Sequence, residues 1–236
     1  MMRKIFLLAL IFFGNAVFTL EQERVFLLTF PRSGTMWMLE CLEDLSRYHQ
    51  EQFLIIHDHY SPNFQTYGLD KNQDRLILLV RNYKECFIRH KGNWEDAKSC
   101  TFRPMPRKPS SNPLHYLSDY FENFYYFRAW NKEKTLLIYY EDLMTDFERE
   151  MTKISRFLEV DESWLIAFMK DYERHRIESI QNYEDEKKLG TSESKGNDIL
   201  FHSRSLDRGV LLEMERFAAN SYPWLEYTYL MRYRAN

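Results

Sequence analysis

The residues best suited to chemistry sit where apolar runs stop. Val25 to Phe30 breaks into Pro31-Arg32-Ser33-Gly34-Thr35-Met36-Trp37, and a helical pattern follows. Such a turn sets a cation, two hydroxyls and a glycine at a helix start. Backbone N–H groups there point outward, and the helix dipole favours an anion. Gly34 lets an anion approach the backbone closely. Arg32 can fork onto phosphate or sulfate oxygens. The same residues also fit an ordinary capped helix start, with Ser33 or Thr35 satisfying the first amides. The Gly-Lys-Ser/Thr ending of a Walker loop is absent.

A second cluster, His57-Asp58-His59, ends the apolar run Phe53 to Ile56. Side chains alternate along a strand, so the two histidines share a side with Asp58 opposite. A neutral imidazole, with a pKa of about 6.5, suits a general base. Either His57 or His59 fits the role, and a rate rising with pH through roughly 6 to 7 is expected. A His-Asp-His metal site is the rival reading, but no third ligand follows nearby. Two further runs end in polar pairs: Leu76 to Val80 in Arg81-Asn82, and Leu136 to Tyr140 in Glu141-Asp142.

The elements that position these residues alternate. Four short apolar runs read as buried strands. Between them Trp37, Leu39, Cys41, Leu42 and Leu45 form a helical stripe, and a helix is expected from Glu85 to His90. Thr145-Asp146-Phe147-Glu148 is a capping box, continued at helical spacing by Met151, Ile154, Phe157 and Leu158. Strands separated by helices predict a single α/β domain: a parallel sheet in three layers, with helices on both faces. Ligands of such sheets sit at the carboxyl ends of the strands, where every polar cluster above lies. The Pro-rich stretch Thr101 to Pro113 and the charged stretch Glu184 to Asn197 read as surface loops.

Composition narrows the class. The chain has 236 residues, 44% apolar and 28% charged, which excludes collagenous and disordered classes. Lys+Arg 32 against Asp+Glu 35 leaves −3, so no basic excess suggests a nucleic-acid partner. Three cysteines without CxxC spacing speak against a disulfide framework or a zinc site, though a Cys86–Cys100 bridge remains open. Arg3 and Lys4, the run Ile5 to Phe13 and Gly14-Asn15-Ala16 have the layout of a secretory signal peptide over residues 1–16. An uncleaved membrane anchor is the alternative. The domain proper is expected over residues 21–236, in the secretory pathway if the leader is used and cytoplasmic otherwise.

Three segments together resemble one family. PRSGTMW is similar to the 5′-phosphosulfate loop of the sulfotransferase superfamily, a Pro-Lys/Arg-Ser-Gly-Thr-Thr-Trp pattern. LILLVRNYKECFIRH resembles its second signature, a strand followed by Arg-Asn-Pro-Lys-Asp/Glu that binds the 3′-phosphate. IYYEDLMTDFEREMTKISRFLEV looks like its Tyr-Glu-Asp strand end and following helix. The three occur in the family's order.

The resemblance implies a nucleotide-kinase-like, P-loop-like fold and the co-substrate 3′-phosphoadenosine 5′-phosphosulfate, with no metal. It would place Arg32, Ser33, Gly34, Thr35 and Met36 on the 5′-phosphosulfate, Trp37 and Tyr140 by the adenine, and Arg81 on the 3′-phosphate. Met36 stands where the family has a second threonine, Tyr83 where it has a proline, and Arg89 where it has a 3′-phosphate serine. The late Arg-Lys-Gly loop has no clean match; Lys195-Gly196, Arg204 and Arg208-Gly209 are the candidates. The implied reaction moves a sulfuryl group to a hydroxyl or amine of a small-molecule, glycan or lipid acceptor. Catalysis would rest on His59 or His57, with Arg32. A P-loop-related kinase or hydrolase, and a non-catalytic nucleotide-binding protein, are the alternatives. The aromatic run Tyr116, Tyr120, Phe121, Phe124, Tyr125 and Phe127 would line an acceptor site or pack as helix core.

Overall fold

A computed structural model describes residues 22–49, 52–59, 67–87, 113–171, 208–225 and 229–233. The leader over 1–16, Arg89, Cys100, Lys195-Gly196, Arg204 and both surface loops lie outside these residues, except for the backbone at Pro113, where a helix begins.

Four strands form one parallel sheet: β1 (Glu23–Leu28), β2 (Phe53–Asp58), β3 (Arg75–Val80) and β4 (Thr135–Tyr139), in the order β2-β1-β3-β4. Helices accompany them, among them α1 (Thr35–Tyr48), α2 (Pro113–Ala129), α3 (Tyr140–Thr145), α4 (Phe147–Phe157) and α5 (Arg208–Ser221). Further helical segments span 83–87 and 163–171.

Alternation along the strands splits the core into two layers. Val25, Leu27, Ile77, Leu79 and Ile138 face one side. There they meet Met38, Cys41, Leu42 and Leu45 of α1 and Met151 and Ile154 of α4. Phe26, Leu28, Leu76, Leu78 and Val80 face the other, against Leu117, Tyr120, Phe121 and Phe124 of α2 and Met214 and Ala218 of α5. This is the three-layer α/β sandwich expected from the pattern. Unbroken apolar runs suit β1 and β3 because both faces of each strand are covered.

Four local expectations are corrected. Among the described strands β2 lies at an edge, so Leu54 is 45% exposed and the strand is not buried throughout. It also runs on through His57 and Asp58, because the ladder to β1 continues that far. Tyr140 opens α3 rather than ending β4. The N-cap of α4 is Asp146, whose carboxylate accepts from the Arg149 amide, while Thr145 Oγ1 donates to the Glu141 carbonyl.

With β2 on one side of β1 and β3 on the other, the chain reverses direction across the sheet between β1 and β3. The carboxyl ends at such a switch point open a crevice. The residues just after β1 and just after β3 flank it.

Candidate functional site

The loop after β1 is a tight turn held from within. Ser33 Oγ donates to the Phe30 carbonyl at 2.6 Å and lies 3.3 Å from the Phe30 amide; the Ser33 amide donates to the same carbonyl at 3.1 Å. Arg32 and Gly34 both take positive φ, 74° and 96°. A non-glycine residue in that region costs roughly 1–2 kcal/mol, so the loop holds Arg32 under strain. The Arg32 side chain is exposed. At α1 no side chain caps the first amides, and the first turn carries no acidic residue. An uncapped, acid-free helix start beside an exposed arginine fits an anion.

Ser33 is fully buried, and its hydroxyl is engaged within the turn. Thr35 is buried too, and its hydroxyl donates to Thr29 Oγ1 at 2.9 Å. Met36 points outward, 68% exposed.

Arg81 follows β3 across the switch point. Its guanidinium carbon stands 4.2 Å from the Tyr140 ring centroid, and Nη1 donates to the Arg32 carbonyl at 3.4 Å. Tyr140 in turn lies edge-on to Trp37, centroids 6.0 Å apart, and Trp37 stacks on Phe147 at 5.3 Å. Both rings also pack against the core layer under α1 and α4. The structure thus brings Arg32, Gly34, Trp37, Arg81 and Tyr140 to one place. A guanidinium stacked on an aromatic face is pre-aimed, and its other donors can serve an anion.

The backbone of Arg81 is clamped by distant side chains. Its carbonyl accepts from Tyr229 Oη at 2.6 Å and also from Tyr120 Oη. Tyr229 Oη further accepts from the Tyr83 amide at 3.2 Å. Next along, the Asn82 amide donates to Glu141 Oε1 at 2.8 Å, while Tyr233 Oη donates to Glu141 Oε2 at 2.7 Å. Arg232 pairs with Asp142 through both its terminal nitrogens. The segment 229–233 therefore locks the ends of β3 and β4 together.

The histidines meet at Thr29. The ladder pairs Leu27 with His57, and the Thr29 amide donates to the Asp58 carbonyl at 3.1 Å. Side chains two apart share a face, so Thr29, His57 and His59 project together. Thr29 Oγ1 is 3.1 Å from His57 Nε2 and 2.9 Å from His59 Nδ1. Asp58, on the opposite face, accepts from Tyr67 Oη at 3.0 Å. Asn123 of α2 is buried and donates through Nδ2 to the carbonyls of Thr29, at 3.0 Å, and His59, at 3.1 Å.

Burial lowers the pKa of both imidazoles. For His57 the Asp58 carboxylate partly opposes the shift. His59 is pushed down to about 4, by burial first, then by His57 and Arg32, against Asp58. Both rings are therefore neutral at pH 7, and the expected titration between pH 6 and 7 is displaced to lower pH. Among the described residues no group of three or more His, Cys, Asp or Glu could hold a metal ion.

Sequence reasoning passed over Thr29, Asn123 and Tyr229. Thr29 is the lone hydroxyl in an apolar run, and Asn123 a lone amide among buried aromatics; each was a signal. Tyr229 offered none. Tyr120, Phe121 and Phe124 prove to be core, Tyr125 is 49% exposed, and the side chain of Tyr116 is outside the described residues.

Comparison with known proteins adds an independent line. A family model described as the sulfotransferase domain matches residues 45–203, more than half of the chain. The match begins beyond the loop after β1. Sulfotransferase 2A6 of Rattus norvegicus is 22% identical over 261 residues, covering 88% of this chain and 90% of that protein. A crystal structure of mouse sulfotransferase SULT7A1 complexed with PAP superposes with a TM-score of 0.43 at 20% identity. That superposition spans 59% of this chain and 58% of the mouse one, under two thirds of its length.

Proposed function

The chain belongs to the sulfotransferase domain family, and from that premise we propose that it transfers a sulfuryl group from 3′-phosphoadenosine 5′-phosphosulfate to a small-molecule hydroxyl or amine. The single observation that carries this reading is the convergence of two arginines from different strand ends on one crevice, Arg81 Nη1 reaching the Arg32 carbonyl. A donor with phosphates at both ends of its ribose needs two such cations.

The donor supplies an activated sulfuryl group, whose bond to the bridging phosphate oxygen breaks as the acceptor oxygen or nitrogen bonds to sulfur. Arg32 and the uncapped amides of α1 neutralise negative charge at the 5′ side. Arg81, stacked on Tyr140, neutralises the 3′-phosphate. Trp37 and Tyr140 supply flat apolar surface for a base. His59 takes the acceptor proton. Of the two imidazoles it lies just past the carboxyl end of β2, whereas His57 is still within the strand. A neutral imidazole at pH 7 is ready to accept that proton. Arg89 and Arg204 are proposed to close the 3′-phosphate site. The signal-like residues 1–16 support a secretory location, and secreted material beginning at Val17 would support cleavage there.

Titration calorimetry with 3′,5′-bisphosphoadenosine and with ATP tests the reading. Tight bisphosphate binding without Mg²⁺ is expected. Binding of ATP only with Mg²⁺ would point to a kinase instead, and binding of neither would refute a catalytic role.

A further inference from the structure

We propose that the Thr29 hydroxyl is a positioning group that sets the tautomers of both histidines, forcing His57 and His59 to carry their proton on the same-named ring nitrogen. The inference builds on the reading of His59 as base but is argued from hydrogen-bond inventory alone.

A threonine hydroxyl has one proton and two lone pairs. Thr35 Oγ1 donates to Thr29 Oγ1 at 2.9 Å and takes one lone pair. One proton and one lone pair then remain for two rings, at 3.1 Å and 2.9 Å. One imidazole must therefore donate to Thr29 and the other must accept from it. Thr29 meets His57 at Nε2 but His59 at Nδ1. If His59 donates, its proton is on Nδ1; His57 accepts at Nε2, so its proton is on Nδ1 as well. If the direction reverses, both protons sit on Nε2. Mixed pairs leave two donors or two acceptors facing one site.

The arrangement is fixed rather than incidental. Thr29 is fully buried, so water cannot readily replace its hydroxyl. The parallel ladder aligns β1 with β2, and Asn123 ties the carbonyls of Thr29 and His59 to one amide group. Of the two permitted states, only the one with both protons on Nδ1 puts the His59 lone pair on Nε2, away from Thr29. The other state directs the His59 lone pair at Thr29 and leaves His57 as the base. Thr35 opens α1 directly after the loop that follows β1, so the chain Thr35–Thr29–His also connects the anion-binding turn to the proton acceptor.

The test is long-range ¹H–¹⁵N correlation spectroscopy of the full chain with ¹⁵N-labelled histidine, at pH 7. The seven histidines are assigned with His57→Gln and His59→Gln variants. Both rings should show the proton on Nδ1. Thr29→Val should mix the tautomers and lower kcat about tenfold, while bisphosphate affinity changes much less; Thr29→Ser should restore the wild-type pattern. One ring protonated on Nδ1 and the other on Nε2 in the wild type overturns the proposal, as does an unchanged spectrum in Thr29→Val. Both protons on Nε2 would uphold the Thr29 rule but remove His59 as base in favour of His57. If Thr29→Val does not fold, the wild-type and Thr29→Ser spectra still decide the matter.

Discussion

A β-carbon added to Gly34 would stand 2.5 Å from Cδ2 and 2.6 Å from Cε2 of Tyr140. The ring of the first α3 residue thus closes directly onto the loop after β1, and the loop is shaped by it. Gly34 also holds φ at +96°, which side chains disfavour. Gly34→Ala should destabilise the fold by about 2–4 kcal/mol, from contact and backbone strain together. In a Tyr140→Ala background the contact disappears and only the strain, about 1–2 kcal/mol, should remain. Chemical denaturation of the four proteins closes this double-mutant cycle. Equal costs in both backgrounds would mean that Tyr140 yields at no cost.

Arg81 has two kinds of contact to lose. Its stacking on Tyr140 aims it, and its bond to the Arg32 carbonyl links it to the loop. Arg81→Ala should weaken 3′,5′-bisphosphoadenosine binding by about 2–4 kcal/mol, the scale of a lost charge-assisted pair. Adenosine 5′-phosphosulfate, which lacks the 3′-phosphate, should bind almost as before. A matching loss for both ligands in calorimetry would show that Arg81 acts by holding the loop.

The depressed pKa of His59 makes two linked statements about pH. In the unfolded chain the ring protonates near pH 6.5; in the fold it does so only at about 4. Between these values the unfolded state binds more protons, so stability falls as pH drops and is level above about 6.5. This one group should cost about 2 kcal/mol between pH 7 and pH 5, and His59→Gln should remove that dependence. Turnover should be level above about pH 6 and decline below about pH 5, as the base takes up a proton. His59→Ala should lower kcat about 10²–10⁴-fold, and His57→Ala distinctly less. A wild-type inflection between pH 6 and 7 that vanishes in His59→Ala would contradict the buried imidazole.

Tyr229 supplies one hydroxyl to two backbone groups after β3. Tyr229→Phe keeps the ring packing but strands the Tyr83 amide. It should cost about 1–3 kcal/mol of stability and also weaken bisphosphate binding, because Arg81 loses part of its clamp. Denaturation midpoints and calorimetry on the same variant report both effects. A stability loss with unaltered nucleotide affinity would place the clamp outside the function of Arg81.

Local spacing determined much of this protein. Unbroken apolar runs marked β1 and β3, because a strand covered on both faces has no polar side to show. Gly34 after such a run marked the turn, and the His-x-His alternation put both imidazoles on one face, because the period of a strand is two. The Arg81-Asn82 pair marked a strand end in the same way. Everything that depends on strand order had to come from the tertiary structure. That β1 lies between β2 and β3, so that Thr29 falls beside His59 and Arg32 beside Arg81, is a matter of which strands pair, and period carries no record of pairing. The inward turn of Ser33, the Asn123 bridge and the Tyr229 hydroxyl on a carbonyl 148 residues earlier arise from packing between distant elements. Their side-chain directions are set when two helix layers close on the sheet, after local propensity has already been satisfied.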